Sequence, residues 1–256
     1  MSNNFTSIGF LAETMEDFDD MIGQILDDED NIQQYDTPAG TYLCWKQDKN
    51  FGPEVFIQIV DKQIVCFAPY FRGKSKVPVA FTEQIDIPNP TPLDAYLYGW
   101  ADPQNDDPES GEYPFVCEMM ALLAYGEEEF PYLSDTSICA IAKEVDIYDS
   151  EEAYEKATGG DEAPMAPESF IPAGLFPPDE GDHEDFVPEP YAIFTGKILE
   201  TKEITNKLTR HKFHWALVKT LGGIFDVVIA PQDLNGQLKK DGILQGAFHL
   251  TADFKS

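Results

Sequence analysis

The sequence predicts an α+β protein in which an N-terminal antiparallel sheet, with one or more helices, is followed by a small C-terminal β-barrel. Three observations support this class. Apolar residues recur at helical spacing in residues 14–27, short runs rich in β-branched and aromatic residues fill 40–81, and four similar runs follow residue 191. With 43% hydrophobic and 12% aromatic residues, the chain has enough apolar surface to fill such cores.

Residues 14–27 are the first predicted helix. Their apolar positions lie three and four residues apart, and Thr14 followed by Asp17 is typical of an N-terminal cap. The opposite face is almost wholly acidic and includes Glu16 and Asp20. A run of like charges on a helix is usually a solvated face, and the alternative is a face that binds a partner.

Four consecutive strands are predicted between residues 40 and 81. The run from Glu54 to Val60 is apolar on both faces, which predicts a central strand that is covered on each side. Pro78 has no N–H for a β-ladder, so the last of the four strands is predicted at a sheet edge. A second helix is predicted after Ser150, because acids begin that segment and a lysine lies in its last turn.

Residues 88–116 are predicted to form an ordered excursion that carries a recognition loop. Turn formers alternate here with large apolar residues, and acids concentrate in residues 102–112. Trp100 and Tyr113 flank this loop and are the predicted apolar anchors of a contact surface. The alternative is a surface loop whose aromatic residues only cap the core.

Residues 159–190 are predicted to link two domains. The segment holds seven prolines and many acids, while its apolar residues from Phe170 to Phe176 are typical of a docking segment. The predicted division is an acidic α+β domain over 1–158, this linker, and a small barrel domain over 191–256.

The predicted barrel resembles the oligonucleotide/oligosaccharide-binding fold, or OB-fold. Its strand runs are AIFTGKILETKEI, HKFHWALVKT, IFDVVIA and ILQGAFHLTADF, and Gly196 and Gly246 lie inside strands that must coil strongly. That fold has five strands, and four are recognisable here. The resemblance implies a groove in which lysines and aromatic residues such as Trp215 bind single-stranded nucleic acid or an oligosaccharide. The alternative is that Trp215 and its aromatic neighbours are barrel core and the lysines are solubilising surface.

Charge is distributed very unevenly along the chain. The formal net charge is −30, and residues 1–190 hold 41 of the 47 Asp and Glu but only 8 of the 17 Lys and Arg. A large field of one sign repels nucleic acid and anionic membranes and attracts basic proteins. An acidic surface adapted to a salty environment is the alternative explanation.

No catalytic or cofactor motif occurs in the sequence, which lacks a nucleophile elbow, a phosphate-binding loop and an EF-hand. The four cysteines form no CxxC pair and are expected to be reduced, packed thiols. A metal site would need His214 and His249 on one face with a carboxylate, and surface histidines are the simpler explanation. We therefore predict no catalytic residue, no metal ligand and no cofactor.

The first residues lack the basic and apolar regions of a secretory signal, and no segment approaches the ~18 apolar residues of a membrane helix. The expected location is therefore the cytoplasm, with no membrane partner. The sequence does not indicate an oligomeric state.

The leading hypothesis is a non-enzymatic acidic binding protein that recognises a basic protein. In its acidity and its lack of cofactor motifs, the chain resembles bacterial immunity or inhibitor proteins, which implies a cationic toxin as the partner. The predicted contact residues are Glu16, Asp17, Asp20, Trp100, Asp102, Asp106, Asp107 and Tyr113. The alternatives are a hydrolase that uses carboxylates in an interdomain cleft, and a nucleic-acid or oligosaccharide-binding module.

Overall fold

The structure is a computed structural model that describes residues 3–38, 40–88, 95–104, 107–122, 129–160, 164–177 and 186–254. The protein is mostly β: strands hold 52% of the described residues, which also include two α-helices. The predicted α+β class is therefore wrong.

The helices are α1 (Met15–Asp27) and α2 (Glu151–Thr158). The strands are β1 (Ile32–Thr37), β2 (Gly40–Lys46), β3 (Gly52–Val60), β4 (Gln63–Arg72), β5 (Val77–Gln84), β6 (Tyr96–Ala101), β7 (Tyr113–Met119), β8 (Tyr132–Tyr148), β9 (Ser169–Ile171), β10 (Tyr191–Thr205), β11 (Lys212–Thr220), β12 (Gly223–Ile229), β13 (Leu234–Asn235) and β14 (Ile243–Phe254). One sheet contains β1 to β4, and a second sheet contains the other strands.

The class differs from the prediction because strands occupy segments that look irregular in the sequence. β6 and β7 form an antiparallel hairpin inside the predicted excursion, where frequent turn residues hide the alternation. β8 runs for 17 residues through an apolar segment that fits a strand or a buried helix equally well. Both predicted helices are confirmed, but they are small parts of a β-rich fold.

The first sheet has the antiparallel order β1-β2-β3-β4, with α1 packed against one face. Met21, Ile22 and Ile25 of α1 are buried, and the Phe18 ring lies 5.4 Å from the ring of Phe67 on β4. β3 is buried along most of its length, so its predicted central position is confirmed. The apolar residues of this sheet therefore point to both of its faces, and both faces are buried.

Five strands of the second sheet close into a barrel. β10 pairs with β11, β11 with β12, β12 with β8, β8 with β14, and β14 with β10 again. The fifth strand of this barrel is therefore β8, which precedes the predicted linker. This hydrogen bonding crosses the predicted boundary at 159–190, and the division into domains stays a prediction.

A second closed ring shares two strands of the barrel, β8 and β14. β8 pairs with β5, β5 with β6, β6 with β7, and β7 with the end of β14. β5 is thus an interior strand, and the edge position predicted from Pro78 is wrong. The Pro78 carbonyl accepts from Asp102 N, just beyond the end of β6, so the missing N–H faces a point where the ladder with β6 has ended.

The interior of both rings is one continuous apolar core. Phe170 from the predicted docking segment enters it and stacks on Tyr113 with ring centroids 4.1 Å apart. The same ring is 6.0 Å from Phe194 on β10. Burial of these aromatic surfaces anchors β9 to the barrel.

A second apolar core lies between the first sheet and the outer face of the barrel. Trp215 on β11 is fully buried there, with its ring 4.9 Å from that of Phe51. Phe213 on the same strand contacts Phe71 of β4 at 5.9 Å. The N-terminal sheet therefore covers the side of β11 that carries the large aromatic residues.

Buried acids hold the segment that joins the two sheets. Arg72 Nε donates to Glu54 Oε1 at 2.6 Å, and the same guanidinium donates to Asp253 on β14. Asp226 on β12 accepts from the backbone N–H groups of Lys74 and Ser75 at 2.9 and 2.7 Å. Its carboxylate also accepts from the indole N–H of Trp215 at 2.8 Å.

Candidate binding surface

The acidic face of α1 is exposed as the sequence pattern predicts. Glu16 and Asp20 are exposed, while Asp17 closes the N-terminal cap with Thr14. Asp17 accepts hydrogen bonds from the hydroxyl and N–H of Thr14 and from the N–H of Glu13, and these bonds lower the pKa of its carboxyl. Asp17 therefore has a structural role and remains charged at neutral pH.

A cleft of about 270 Å³ lies beside α1, against the turn that joins β10 and β11. Its lining combines acidic, polar and apolar side chains, namely Phe10, Leu11, Ala12, Asp17, Asp20, Met21, Gln24, Leu208, Thr209 and His211. The Leu11 side chain is 52% exposed at this cleft. The cleft thus offers a carboxylate pair next to an accessible apolar side chain.

The predicted recognition loop lies between β6 and β7, and the structure describes its residues 102–104 and 107–112. Asp102 is half-buried with a left-handed φ of 50°, and its N–H donates to the Pro78 carbonyl at 2.8 Å. Asp107 is exposed and accepts from Glu109 N at 3.1 Å. Asp106 lies outside the described residues.

The two predicted apolar anchors have different environments. Trp100 is half-buried on β6, on the same side of the strand as Tyr96 and Tyr98. Tyr113 is only 6% exposed, and its hydroxyl donates to the Leu221 carbonyl at 2.8 Å. Burial raises the pKa of Tyr113, and its ring packs in the core, so it supports the loop from within and presents little surface to a partner.

The loop lines its own cleft of about 410 Å³ against the turn between β11 and β12. Asp102 and Glu112 lie in it with the ion pair Lys219–Glu168, whose Nζ and Oε2 atoms are 2.8 Å apart. The residues of α1 do not line this cleft. The structure therefore separates the predicted contact residues into a helix group and a loop group.

Several lysines are already paired with acids of the protein itself. Ion pairs of 2.6–3.1 Å join Lys74 to Glu200, Lys76 to Asp135, Lys197 to Asp241, Lys212 to Glu203, Lys219 to Glu168, and Lys239 to Asp149. Such exposed pairs add little stability, but they neutralise charge locally. Over the described ranges, no ion pair involves an acid of α1.

The histidines form no metal centre in the described part of the chain, where no three His, Cys, Asp or Glu side chains are grouped to hold an ion. His249 Nε2 lies 2.7 Å from Glu118 Oε2, and both side chains are largely buried. His214 is on β11, and partial burial lowers its pKa. The four cysteines are free, and three are buried.

The aromatic residues of the barrel are placed as core. Phe194, Trp215 and Phe225 are each fully buried, and so they present no ring face for base stacking. Tyr191 at the start of β10 is half-buried.

Sequence reasoning missed the buried acids, Glu54, Asp226 and Asp253. Burial raises the pKa of Glu54 and of Asp226, while the Arg72 guanidinium and the N–H donors around Asp226 oppose that rise. With so many acids in the chain, composition alone could not distinguish them. The available signal was the placement of each acid within an apolar strand run, as in IFDVVIA.

Among the described residues, no helix is long and apolar enough to cross a membrane. Comparison with protein-family models, with curated proteins and with solved structures finds no match to this chain.

Proposed function

We propose that this protein is a non-enzymatic binding protein whose acidic surface recognises a basic protein. The observation that carries the proposal is the acidic face of α1, which is exposed and has no ion pair with a described cation. The surrounding sequence reinforces it, since residues 1–45 contain ten acids and no Lys or Arg. A basic partner would meet a surface whose charge the protein has not neutralised itself.

The loop group adds to the same field. Residues 77–142 contain thirteen acids and no Lys or Arg, and Asp102 and Glu112 of this stretch line the loop cleft. Each of the two clefts also has an exposed leucine, Leu11 at 52% and Leu221 at 40%. Carboxylates beside an accessible apolar side chain suit lysine and arginine, whose aliphatic stems pack while the charged ends bind acids.

The narrower form of the proposal is an immunity or inhibitor protein that covers the basic active surface of a cationic toxin. Rapid electrostatic association would suit that role, because opposite fields steer the two proteins together. Affinity capture from nuclease-treated lysate of the source cells, at low and high salt, would identify the partner.

A matched pair of variants tests the role of α1. The double variant Glu16→Gln/Asp20→Asn removes two charges from α1, and Glu151→Gln/Glu155→Gln removes two exposed charges from α2. Both have the same net charge. With poly-L-lysine as the probe, we expect the α1 variant to bind about three- to tenfold more weakly at low salt, because each exposed pair contributes about 0.2–1 kcal/mol.

The α2 variant should bind within about twofold of the unchanged protein, and binding of all three should weaken as salt rises from about 50 to 300 mM. Equal losses in the two variants would mean that only net charge matters, which would refute α1 as the site. Absence of binding to poly-L-lysine at low salt would refute the function itself.

A further inference from the structure

β1 is an edge strand with an open hydrogen-bonding side. It pairs with β2 along all six of its residues, without a shift in register, and within the described ranges it has no strand on its other side. An edge strand carries a row of backbone N–H and C=O groups that can pair with another chain.

The hairpin geometry shows which groups are open. Thr37 and Gly40 pair across a two-residue turn, so they exchange hydrogen bonds, and the alternation of an antiparallel ladder repeats this at Tyr35. The N–H and C=O groups of Gln34 and Asp36 therefore point away from β2. Both residues are exposed.

β1 lacks three of the features that commonly protect an edge, although it is short and carries the charged Asp36. Natural edges are commonly blocked by lysine, proline or a bulge, and Ile32–Thr37 contains none of these. The sequence of this edge therefore permits a further strand to pair with it.

The charge of this chain near β1 indicates whether the added strand is acidic or basic. A second copy of this chain would bring another stretch of ten acids without Lys or Arg against the same edge, which like-charge repulsion disfavours. A basic strand is favoured, because the exposed Asp36 lies on β1 itself and has no ion pair with a described cation, although its Oδ1 accepts hydrogen bonds from Gln34 and Thr41. Lys46 and Lys49 line a cleft at the start of β1 and would repel a cation there. The lysine or arginine residues of the added strand are therefore expected near Thr37, at the other end of β1.

We propose that a basic, extended segment of the partner pairs with β1 as a fifth strand of the first sheet. This inference rests on the proposed function and specifies how the partner binds. Backbone hydrogen bonds would supply affinity, and the exposed carboxylate of Asp36 would select lysine or arginine in the segment.

The test uses the full-length protein and a short labelled peptide of alternating lysine and valine. Gln34→Pro removes the outward N–H, which an edge strand tolerates, whereas Gln34→Ala removes only the side chain. We expect Gln34→Pro to weaken peptide binding about tenfold and Gln34→Ala to change it less than twofold. Circular dichroism and urea unfolding check that both variants are folded.

Hydrogen exchange of the unchanged protein gives a second readout that does not depend on a variant. Peptide binding should slow exchange at the amides of Gln34 and Asp36. Equal binding by both variants, with no added protection at these amides, would overturn the inference. If poly-L-lysine still bound, the proposed function would survive that result.

Two further outcomes would also contradict the pairing of a basic strand with β1. A matching glutamate-valine peptide that binds as well as the basic one would show that charge does not select the strand. A dimer in sedimentation experiments that Gln34→Pro abolishes would show that the edge pairs with a second copy instead.

Discussion

Asp226 is expected to be a main determinant of how the first sheet is held on the barrel. Its Oδ1 atom accepts from Lys74 N and from the Trp215 indole, and its Oδ2 atom accepts from Ser75 N. A carboxylate suits this position because all three surrounding groups are donors. The side chain is fully buried, so water cannot replace a lost acceptor.

The substitution Asp226→Asn keeps the shape but replaces one acceptor by an NH₂ group. In the orientation that keeps the two bonds at Oδ1, the new amide faces Ser75 N, and two donors are left without a partner. Each costs about 1–3 kcal/mol, and relief from burying a charge offsets part of this, so we expect a net loss of about 2 kcal/mol. Asp226→Ala leaves all three N–H groups without this acceptor and should cost about 3–5 kcal/mol.

Urea unfolding followed by tryptophan fluorescence measures both losses. Asp19→Asn, an exposed change on α1, is the matched control and should stay within about 0.5 kcal/mol of the unchanged protein. An Asp226→Asn variant that is as stable as the control would refute this account. It would mean that the carboxyl group is protonated in the fold, or that the segment does not depend on it.

Three further predictions concern the same region. Gly73→Ala should destabilise the protein by about 1–3 kcal/mol in urea unfolding, because its Cβ would lie 2.0 Å from Asp226 Oδ1, and an unchanged midpoint would contradict this packing. Trp215→Phe should lower the free energy of unfolding by about 1–3 kcal/mol, and its effect should not add to that of Asp226→Asn in a double-mutant cycle. Simple additivity of the two losses would argue against the hydrogen bond between the indole and the carboxylate. Stability should rise as pH falls from about 7.5 to about 5, because burial raises the pKa of Glu54 above its unfolded value, and this contribution is lost as pH rises through the folded pKa. Repulsion within a chain of net charge −30 also lowers stability as pH rises. Unfolding measured at both pH values in about 1 M salt screens this repulsion and so separates the two causes. Greater stability at pH 7.5 would contradict the prediction.

Local patterns were sufficient for elements whose signals lie within a few residues. The Thr14–Asp17 cap and the apolar spacing after it predicted α1, because a helix is stabilised by neighbours three and four residues apart. The two apolar faces of Glu54–Val60 likewise predicted a covered central strand.

Position within a sheet could not be predicted in the same way. Pro78 indicated an edge, but β5 is an interior strand, because the proline lies where its missing N–H meets no ladder partner. The fifth barrel strand was also unrecognised, since β8 lies on the other side of a proline-rich segment from the strands it pairs with. Strand pairing joins residues far apart in sequence, and alternation alone does not name the partner.

The same limit applies to the candidate site. Composition by itself determined the acidic field, the absence of Lys and Arg from residues 1–45, and the exposed acidic face of α1, because these follow from residue identity and helical period. Only the tertiary structure decided that Tyr113 and Trp215 are core, that Asp226 is a buried acceptor, and that β1 has an open side. Burial and hydrogen-bond pairing depend on which distant segments cover a residue, and that information is distributed over the whole fold.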